Sequence, residues 1–317
     1  MAFEIRPFPE FSWSQSRRST FRECPRKYFW QYYGSHNGWL AESSEEARLA
    51  WRLKKITNLH MALGNVVHEI AAAAVQRARG GGAVPTPAEL LEEGRARLNR
   101  IWVRSQRREE WERAPNRVPM LMEFYRGTGP ARDLIERIRD RLHTCLRNLP
   151  ASESFREAVE APQVEMREID RLDFVELEGV KLYAQPDLLY RVGEAWRIVD
   201  WKTGARGEGH APQLRTYAVY IRERTDLPRG PVIGRLEYLG DGSALTGPIT
   251  ERDIADERGR ILASVENMRE YLVNPARNEP RPREAFPLTD DTRYCPRCSF
   301  YELCEEELST RGETGPF

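Results

Sequence analysis

The chain has 317 residues, enough for one large domain or two smaller ones with a substantial core. Its 49 basic and 49 acidic side chains cancel, so net charge gives no sign of a nucleic-acid-binding protein. The mean hydropathy is −0.66, the sequence contains no apolar run long enough to span a membrane, and residues 1–6 lack the pattern of a secretion signal. We therefore expect a cytoplasmic protein with no membrane partner.

Helices dominate the first half of the predicted structure, and a sheet follows in the second half. Predicted helices occupy 57–79, a segment after Pro87, 131–146, 212–223 and 254–272. Predicted strands occupy 164–169, 174–177, 180–192, 195–202 and 232–239. The stretch 274–287 is rich in proline and charged residues, which predicts a linker.

Charge is distributed unevenly along the chain. Residues 95–147 hold 14 arginines and 7 acids, whereas residues 284–317 hold 3 arginines and 8 acids. The basic segment also carries Trp102 and Trp111, which could stack on bases while arginines contact phosphates. A solvated helix face explains the same charges, and the sequence leaves both interpretations open.

A hairpin in the predicted sheet sets two aspartates opposite each other. Gly193-Glu194 has the order that a two-residue type II′ turn favours. With that turn, Asp187 lies opposite Asp200, and Lys202 projects from the same face. Because like charges opposite each other destabilise a hairpin, the pair predicts a cation between them, such as Mg²⁺ or Mn²⁺ with a substrate phosphate. Lys202 would then orient an attacking water or stabilise charge on the phosphate.

Other polar residues accompany this pair. Gln213 and Tyr217 are four residues apart on one face of the next predicted helix. Glu165, in the first predicted strand, is a further candidate acid. His68 follows Gly64 by one turn in the helix over 57–79, and a lone histidine in such a position is usually structural.

Four of the five cysteines fall into two groups. Cys24 lies near the start, and Cys295, Cys298 and Cys304 lie near the end. In a cytoplasmic protein this spacing favours a metal site over disulfides. Thiolates suit a [4Fe–4S] cluster or zinc, and the spacing alone favours zinc, because structural four-cysteine zinc sites are common. Cys145 fits no ligand spacing and is predicted to be a buried thiol.

Asp187, then Asp200-Trp201-Lys202-Thr203-Gly204, then Gln213-x-x-x-Tyr217 resembles the PD-(D/E)XK nuclease superfamily, specifically its RecB-like exonuclease branch. The resemblance implies an α/β, restriction-endonuclease-like fold: a mixed central sheet flanked by helices, with a large helical insertion. It implies Mg²⁺ or Mn²⁺ held by His68, Asp187, Asp200 and the Trp201 carbonyl. It also implies catalysis by Lys202, with Gln213 and Tyr217 orienting Lys202 or the strand being cut.

The segment Cys24-Pro25-Arg26-Lys27-Tyr28, with the distant cysteine triplet, resembles the iron–sulfur staple of AddB-type nucleases and CRISPR-associated exonucleases. This resemblance favours a [4Fe–4S] cluster over zinc at Cys24, Cys295, Cys298 and Cys304. The implied division of the chain is an N-terminal segment 1–35 with the first cluster cysteine, a helical region 36–160 carrying the metal-site histidine, a nuclease core 161–273, and a linker with the three-cysteine region 274–317.

The function that the resemblance implies is a metal-dependent DNA exonuclease, acting on DNA with a single-stranded end. DNA repair or CRISPR adaptation is the implied setting, with a helicase or an adaptation protein as partner. One alternative is a non-catalytic, iron–sulfur, nucleic-acid-binding subunit of such a complex; the intact carboxylate pair argues against it. Another is an electron-transfer or redox-sensing protein, which lacks support from any flavin or nicotinamide motif.

Overall fold

The computed structural model describes residues 5–127, 129–161, 163–207 and 209–310. The α-helices are α1 Gln15–Glu23, α2 Pro25–Phe29, α3 Glu45–Leu53, α4 Leu59–Arg79, α5 Pro87–Ser105, α6 Arg108–Arg113, α7 Met122–Tyr125, α8 Arg132–Asn148, α9 Glu153–Glu160, α10 His210–Glu223, α11 Glu251–Arg269 and α12 Glu305–Thr310. The strands are β1 Ser12–Trp13, β2 Ile56–Thr57, β3 Met120–Leu121, β4 Val164–Ile169, β5 Asp173–Leu177, β6 Val180–Ala184, β7 Leu188–Val192, β8 Ala195–Lys202, β9 Val232–Tyr238, β10 Ser243–Ile249, β11 Leu272–Asn274 and β12 Glu279–Pro280.

A five-stranded mixed sheet, in the order β10-β9-β8-β7-β4, forms the centre of the fold. β8 and β9 run parallel, and the other neighbouring strands are antiparallel. Side chains of β8 alternate between two cores: Trp196 and Ile198 pack with α10 and α11, whereas Val199 and Trp201 pack with α4, α8 and α9 on the other face. This mixed sheet between helices confirms the predicted α/β fold class.

The β7–β8 hairpin has the predicted register. Gly193 adopts a φ of 59°, as the first turn position of a type II′ hairpin requires. Leu188 pairs with Val199, and the pairs continue to the turn. Asp187 and Asp200 therefore lie one step beyond the last pair, at the same end of the hairpin.

The predicted strand over 180–192 is wrong as a single element. β6 ends at Ala184 and belongs to a second sheet, in the order β1-β6-β5, whereas β7 begins at Leu188 in the central sheet. Pro186 lies between them, and because proline has no backbone N–H it cannot continue a strand ladder. Asp187 thus lies where the chain crosses from one sheet to the other.

The helical region between β2 and α9 accounts for most of the basic segment. Trp111 is 1% exposed in a core, and Trp102 packs edge-on against Phe124, so stacking of bases on Trp111 is wrong. Many arginines here pair with an acid one helical turn away, as Arg108 does with Glu112. These contacts favour the solvated helix face. None of the described helices has the length and apolar character needed to cross a bilayer.

The stretch 274–287 does not form the predicted linker. It contains β12, which pairs with β11, and the Asn278 side chain accepts a hydrogen bond of 2.9 Å from the Tyr33 hydroxyl. Phe286 is fully buried against Phe29 and Tyr271. Its proline and charged residues surround buried anchors, so composition alone misjudged the segment.

Candidate active site

A cleft of about 1030 Å³ opens at the end of β8, between α1, α4 and α10. It is lined by six of the seven residues that the sequence predicts for the site: His68, Asp187, Asp200, Lys202, Gln213 and Tyr217. The seventh, Trp201, is 1% exposed, and its side chain packs on the opposite face of the sheet. Its backbone still reaches the site.

Asp187 joins the histidine helix to the central sheet. Its Oδ1 lies 2.6 Å from His68 Nδ1, and its Oδ2 accepts a hydrogen bond of 2.5 Å from the backbone N–H of Trp201. Because Trp201 follows Asp200 in β8, the hairpin itself fixes this carboxylate beside Asp200. Asp187 is only 5% exposed, so both oxygens depend on these contacts.

Asp200 is a buried carboxylate, 3% exposed. Its Oδ2 lies 2.5 Å from Lys202 Nζ, but this ion pair lacks the alignment of a hydrogen bond, and Oδ2 has no other partner among the described residues. Burial, and then the neighbouring Asp187 carboxylate, raises the pKa of Asp200 above its ordinary range. The raised pKa means that negative charge at Asp200 is costly in the folded protein.

His68 is positioned by α4, whose Asn58 cap accepts a hydrogen bond from the N–H of Met61. Burial alone would lower the pKa of His68, but the Asp187 carboxylate outweighs burial and raises this pKa to about 9. The imidazole is therefore held in its charged form next to Asp187.

Lys202 heads a chain of hydrogen bonds that crosses to α10. Its Nζ donates to Gln213 Oε1 at 2.7 Å, and Gln213 Nε2 donates to the Tyr217 hydroxyl oxygen at 2.6 Å. The Tyr217 hydroxyl in turn donates to the Gln185 carbonyl at 2.9 Å. Burial and the nearby carboxylates raise the pKa of Tyr217, so its phenol stays neutral and remains a donor. The chain fixes the ammonium group next to Asp200.

Asp170 is a cleft residue that the sequence did not reveal. Its backbone N–H donates to the Asp187 carbonyl at 2.9 Å, and its Oδ1 accepts a hydrogen bond of 2.7 Å from Gln185 Nε2. It lies just past the strand predicted over 164–169 in a left-handed conformation, with φ of 48°, and no motif marks it. The alternative acid Glu165 is exposed and pairs with Arg167, outside the cleft.

The cysteine groups near the two ends of the chain approach each other. Cys24 caps α2, its Sγ accepting the Lys27 N–H at 3.4 Å, and Cys304 is buried in a core with Trp30. Cys298 interacts electrostatically with Cys24, and Cys304 interacts with both. Burial raises the pKa of Cys298, and it raises the pKa of Cys304 to about 12. Cys145 is buried elsewhere, in α8.

Contacts that do not involve cysteine also join the N-terminal and C-terminal parts of the chain. The Arg26 backbone N–H donates to the Pro287 carbonyl at 3.1 Å, and Arg26 Nη1 lies 2.5 Å from Glu307 Oε2. Over the described parts of the chain, no group of three or more His, Cys, Asp or Glu side chains converges as in a formed metal site. In the cleft, Asp187 contacts His68 and the Trp201 N–H, and Asp200 lies beside Lys202.

A family comparison agrees with this geometry. The model of the PD-(D/E)XK nuclease superfamily matches residues 12–305, which includes every residue of the cleft described above. The chain belongs to the PD-(D/E)XK nuclease superfamily. No curated protein matches the chain. Membership indicates a nuclease that acts on nucleic acid, and the mixed α/β fold is that of the restriction-endonuclease-like proteins.

Proposed function

We propose that this PD-(D/E)XK protein is a metal-dependent DNA exonuclease. The observation that carries the proposal is the convergence of Asp187, Asp200 and Lys202 in one cleft. These residues come from a strand break and from a neighbouring strand, so only the folded hairpin brings them together. The exonuclease mode and the DNA end rest on the RecB-like resemblance of the motifs.

The donor set of the cleft fits Mg²⁺ or Mn²⁺. Carboxylate oxygens and an imidazole nitrogen are ligands that these ions accept, and the Trp201 carbonyl completes the proposed set with His68, Asp187 and Asp200. Asp200 Oδ2 is a buried oxygen without an aligned hydrogen bond, and its raised pKa reports a charge that a cation would stabilise. The bound ion would polarise the scissile phosphate and make an attacking water more acidic.

Lys202 is the proposed catalytic cation of the protein itself. Phosphodiester hydrolysis concentrates negative charge on the phosphate oxygens in the transition state, and a fixed ammonium group stabilises that charge. Gln213 and Tyr217 act as positioning residues, because their hydrogen bonds hold Nζ in place before the substrate arrives. Asp170 holds the Gln185 side chain beside them.

A [4Fe–4S] cluster at Cys24, Cys295, Cys298 and Cys304 is the proposed role of the cysteine region. Thiolates are the ligands of such clusters. The proposal is supported by the packing of Cys295, Cys298 and Cys304 in one core and by the electrostatic interaction of Cys24 with Cys298 and Cys304. The cluster would join the two ends of the chain as a structural staple. Zinc at the same thiolates is the alternative.

The test is cleavage of end-labelled single- and double-stranded DNA with Mg²⁺ or Mn²⁺, alongside the same DNA in circular form. We expect degradation of linear DNA that stops when EDTA is added and spares the circles. Lys202→Ala should lower the rate about 10²- to 10³-fold, because it removes the fixed cation. The exposed Lys55→Ala is the matched control and should cut at the parent rate.

Three outcomes would count against the proposal. Cleavage of circular DNA would contradict the exonuclease mode, and cleavage of RNA in preference to DNA would contradict the substrate. Binding of DNA without metal-dependent cleavage would instead identify a non-cutting subunit of a helicase–nuclease or CRISPR-adaptation complex. Those complexes are the proposed setting, with a helicase or an adaptation protein as partner.

A further inference from the structure

Arg17 is a buried arginine with no acidic partner among the described residues. It is 3% exposed, and its Nη1 donates to the Ser12 carbonyl at 2.8 Å and to Ser12 Oγ at 2.6 Å. Its buried Nε has no hydrogen-bond partner. Burial of an unpaired charge is costly, so a buried arginine normally meets a carboxylate or another anion.

A second cation lies near the same aromatic ring. Arg17 Cζ lies 4.0 Å from the centroid of the Tyr32 ring, and Lys54 Nζ lies 5.6 Å from it. Burial lowers the pKa of Lys54 to about 8, and the nearby charges of Lys55 and Arg17 act in the same direction. Arg17 Cζ also lies 5.7 Å from the ring centroids of Phe11 and Tyr28. Aromatic faces stabilise a cation less than an anion does, so the two cations form a positive region that no carboxylate neutralises among the described residues.

The Arg17 side of this positive region lies on the wall of the active-site cleft. Arg17 and Tyr32 line the cleft, together with Ser14, Gln15 and Ser16 at the start of α1. The nine-residue helix α1 begins at this wall, which places the positive end of its dipole there, and the Ser14 side chain caps its Arg17 N–H at 3.1 Å. The carboxylates Asp187 and Asp200 line the same cleft, so it contains both an acidic and a basic region.

We propose that Arg17, Tyr32 and the N-terminus of α1 form a subsite for one backbone phosphate of the substrate strand, distinct from the phosphate that is cut. The inference rests on the proposed nuclease function and adds a binding position to it. A guanidinium group can bind a phosphate through two parallel hydrogen bonds. Ser12 accepts both Nη1 hydrogens and fixes the group, so Nε, which has no partner, and Nη2 would donate to the phosphate. Such a subsite would hold the strand against the repulsion of the acidic pair.

The test compares single-stranded DNA oligonucleotides in which one linkage at a time is a neutral methylphosphonate. Binding is measured by fluorescence anisotropy in EDTA, so that no strand is cut. For the parent protein, neutralising one particular linkage should weaken binding about 10- to 100-fold, as expected for loss of a charged hydrogen bond. Arg17→Met should bind the unmodified strand about as weakly as the parent protein binds the strand neutralised at that linkage. Neutralising the same linkage should then cause no further loss of affinity in Arg17→Met.

Arg22→Met is the matched control, since Arg22 is exposed near the other end of α1. It should keep the linkage profile of the parent. If Arg17→Met does not fold, Arg17→Lys is used instead. Because an ammonium group cannot form two parallel hydrogen bonds, this variant should bind the unmodified strand more weakly than the parent and lose less affinity when that linkage is neutralised. A profile in the Arg17 variant identical to that of the parent would overturn the subsite.

Failure of this inference is distinguishable from failure of the proposed function. If the parent protein cuts linear DNA but no linkage depends on Arg17, the nuclease proposal stands and the subsite is contradicted. If the parent protein shows the Arg17-dependent linkage but cuts no DNA, the subsite stands and the catalytic proposal is contradicted.

Discussion

The active-site cleft and the cysteine region are built in different ways. In the cleft, each functional side chain is fixed by a strand register or by a hydrogen bond to another site residue, as Asp187 is by Trp201 and Lys202 by Gln213. Around the C-terminal cysteines the described chain forms short 3₁₀ turns, at Thr292–Arg297 and Tyr301–Leu303, and these turns are held to the segment around Cys24 by packing and by contacts of Arg26. The fold thus preorganises the cleft, whereas a bound group would contribute much of the order around the cysteines.

The difference predicts that cleft residues are needed for DNA cleavage and contribute little to the stability of the fold. Asp200→Asn should lower the cleavage rate about 10³-fold, because it removes a proposed metal ligand. The same change should leave the unfolding temperature in EDTA unchanged or higher, since the raised pKa of Asp200 shows that its charge is unfavourable there. Cleavage assays and thermal unfolding check the two parts. A large loss of stability would show that Asp200 is structural.

The cysteine region should behave in the opposite way. Cys298→Ser should abolish the brown colour and the absorption near about 400 nm that a [4Fe–4S] cluster gives. It should lower the unfolding temperature by about 10 °C, since closing the long loop between Cys24 and Cys295 contributes about 4–5 kcal/mol to the free energy of unfolding. Cleavage per folded molecule should change little. The control Cys145→Ala should retain the colour. If the parent protein, prepared without oxygen, is colourless and contains stoichiometric zinc, the site holds zinc and not an iron–sulfur cluster.

A smaller effect should appear in the pH dependence of metal binding. The ordinary pKa of His68 is 6.5, and its pairing with Asp187 raises the pKa to about 9. Stability from this pair is therefore complete below pH 6.5 and is lost as the pH rises through 9. A metal ion needs the neutral imidazole, so the rise in unfolding temperature on adding Mn²⁺ should grow over that interval.

His68→Gln should remove this pH dependence, because the amide does not titrate. His143→Gln, at an exposed histidine of α8, should keep it. A metal-induced shift in unfolding temperature that is equally large at both ends of the interval would contradict the assignment of His68 as a ligand.

The sequence allowed the hairpin register to be predicted because local chemistry sets it. Gly193-Glu194 defines the turn, and counting back from the turn places Asp187 and Asp200 at one end of the strands. The break before Asp187 was missed, because residues 180–184 and 188–192 both have strand-like composition and the intervening Gln185-Pro186-Asp187 was interpreted as part of the same strand. Asp170 and Arg17 were not predictable, because their positions depend on how distant elements pack.

The most direct test of the account is a crystal of the protein soaked in Mn²⁺, examined by anomalous diffraction. We expect one strong manganese peak bound by Asp187, Asp200 and His68, with the Lys202 ammonium group beside it. A peak at another place in the molecule, or carboxylates that turn away from each other toward solvent, would contradict the proposed catalytic centre.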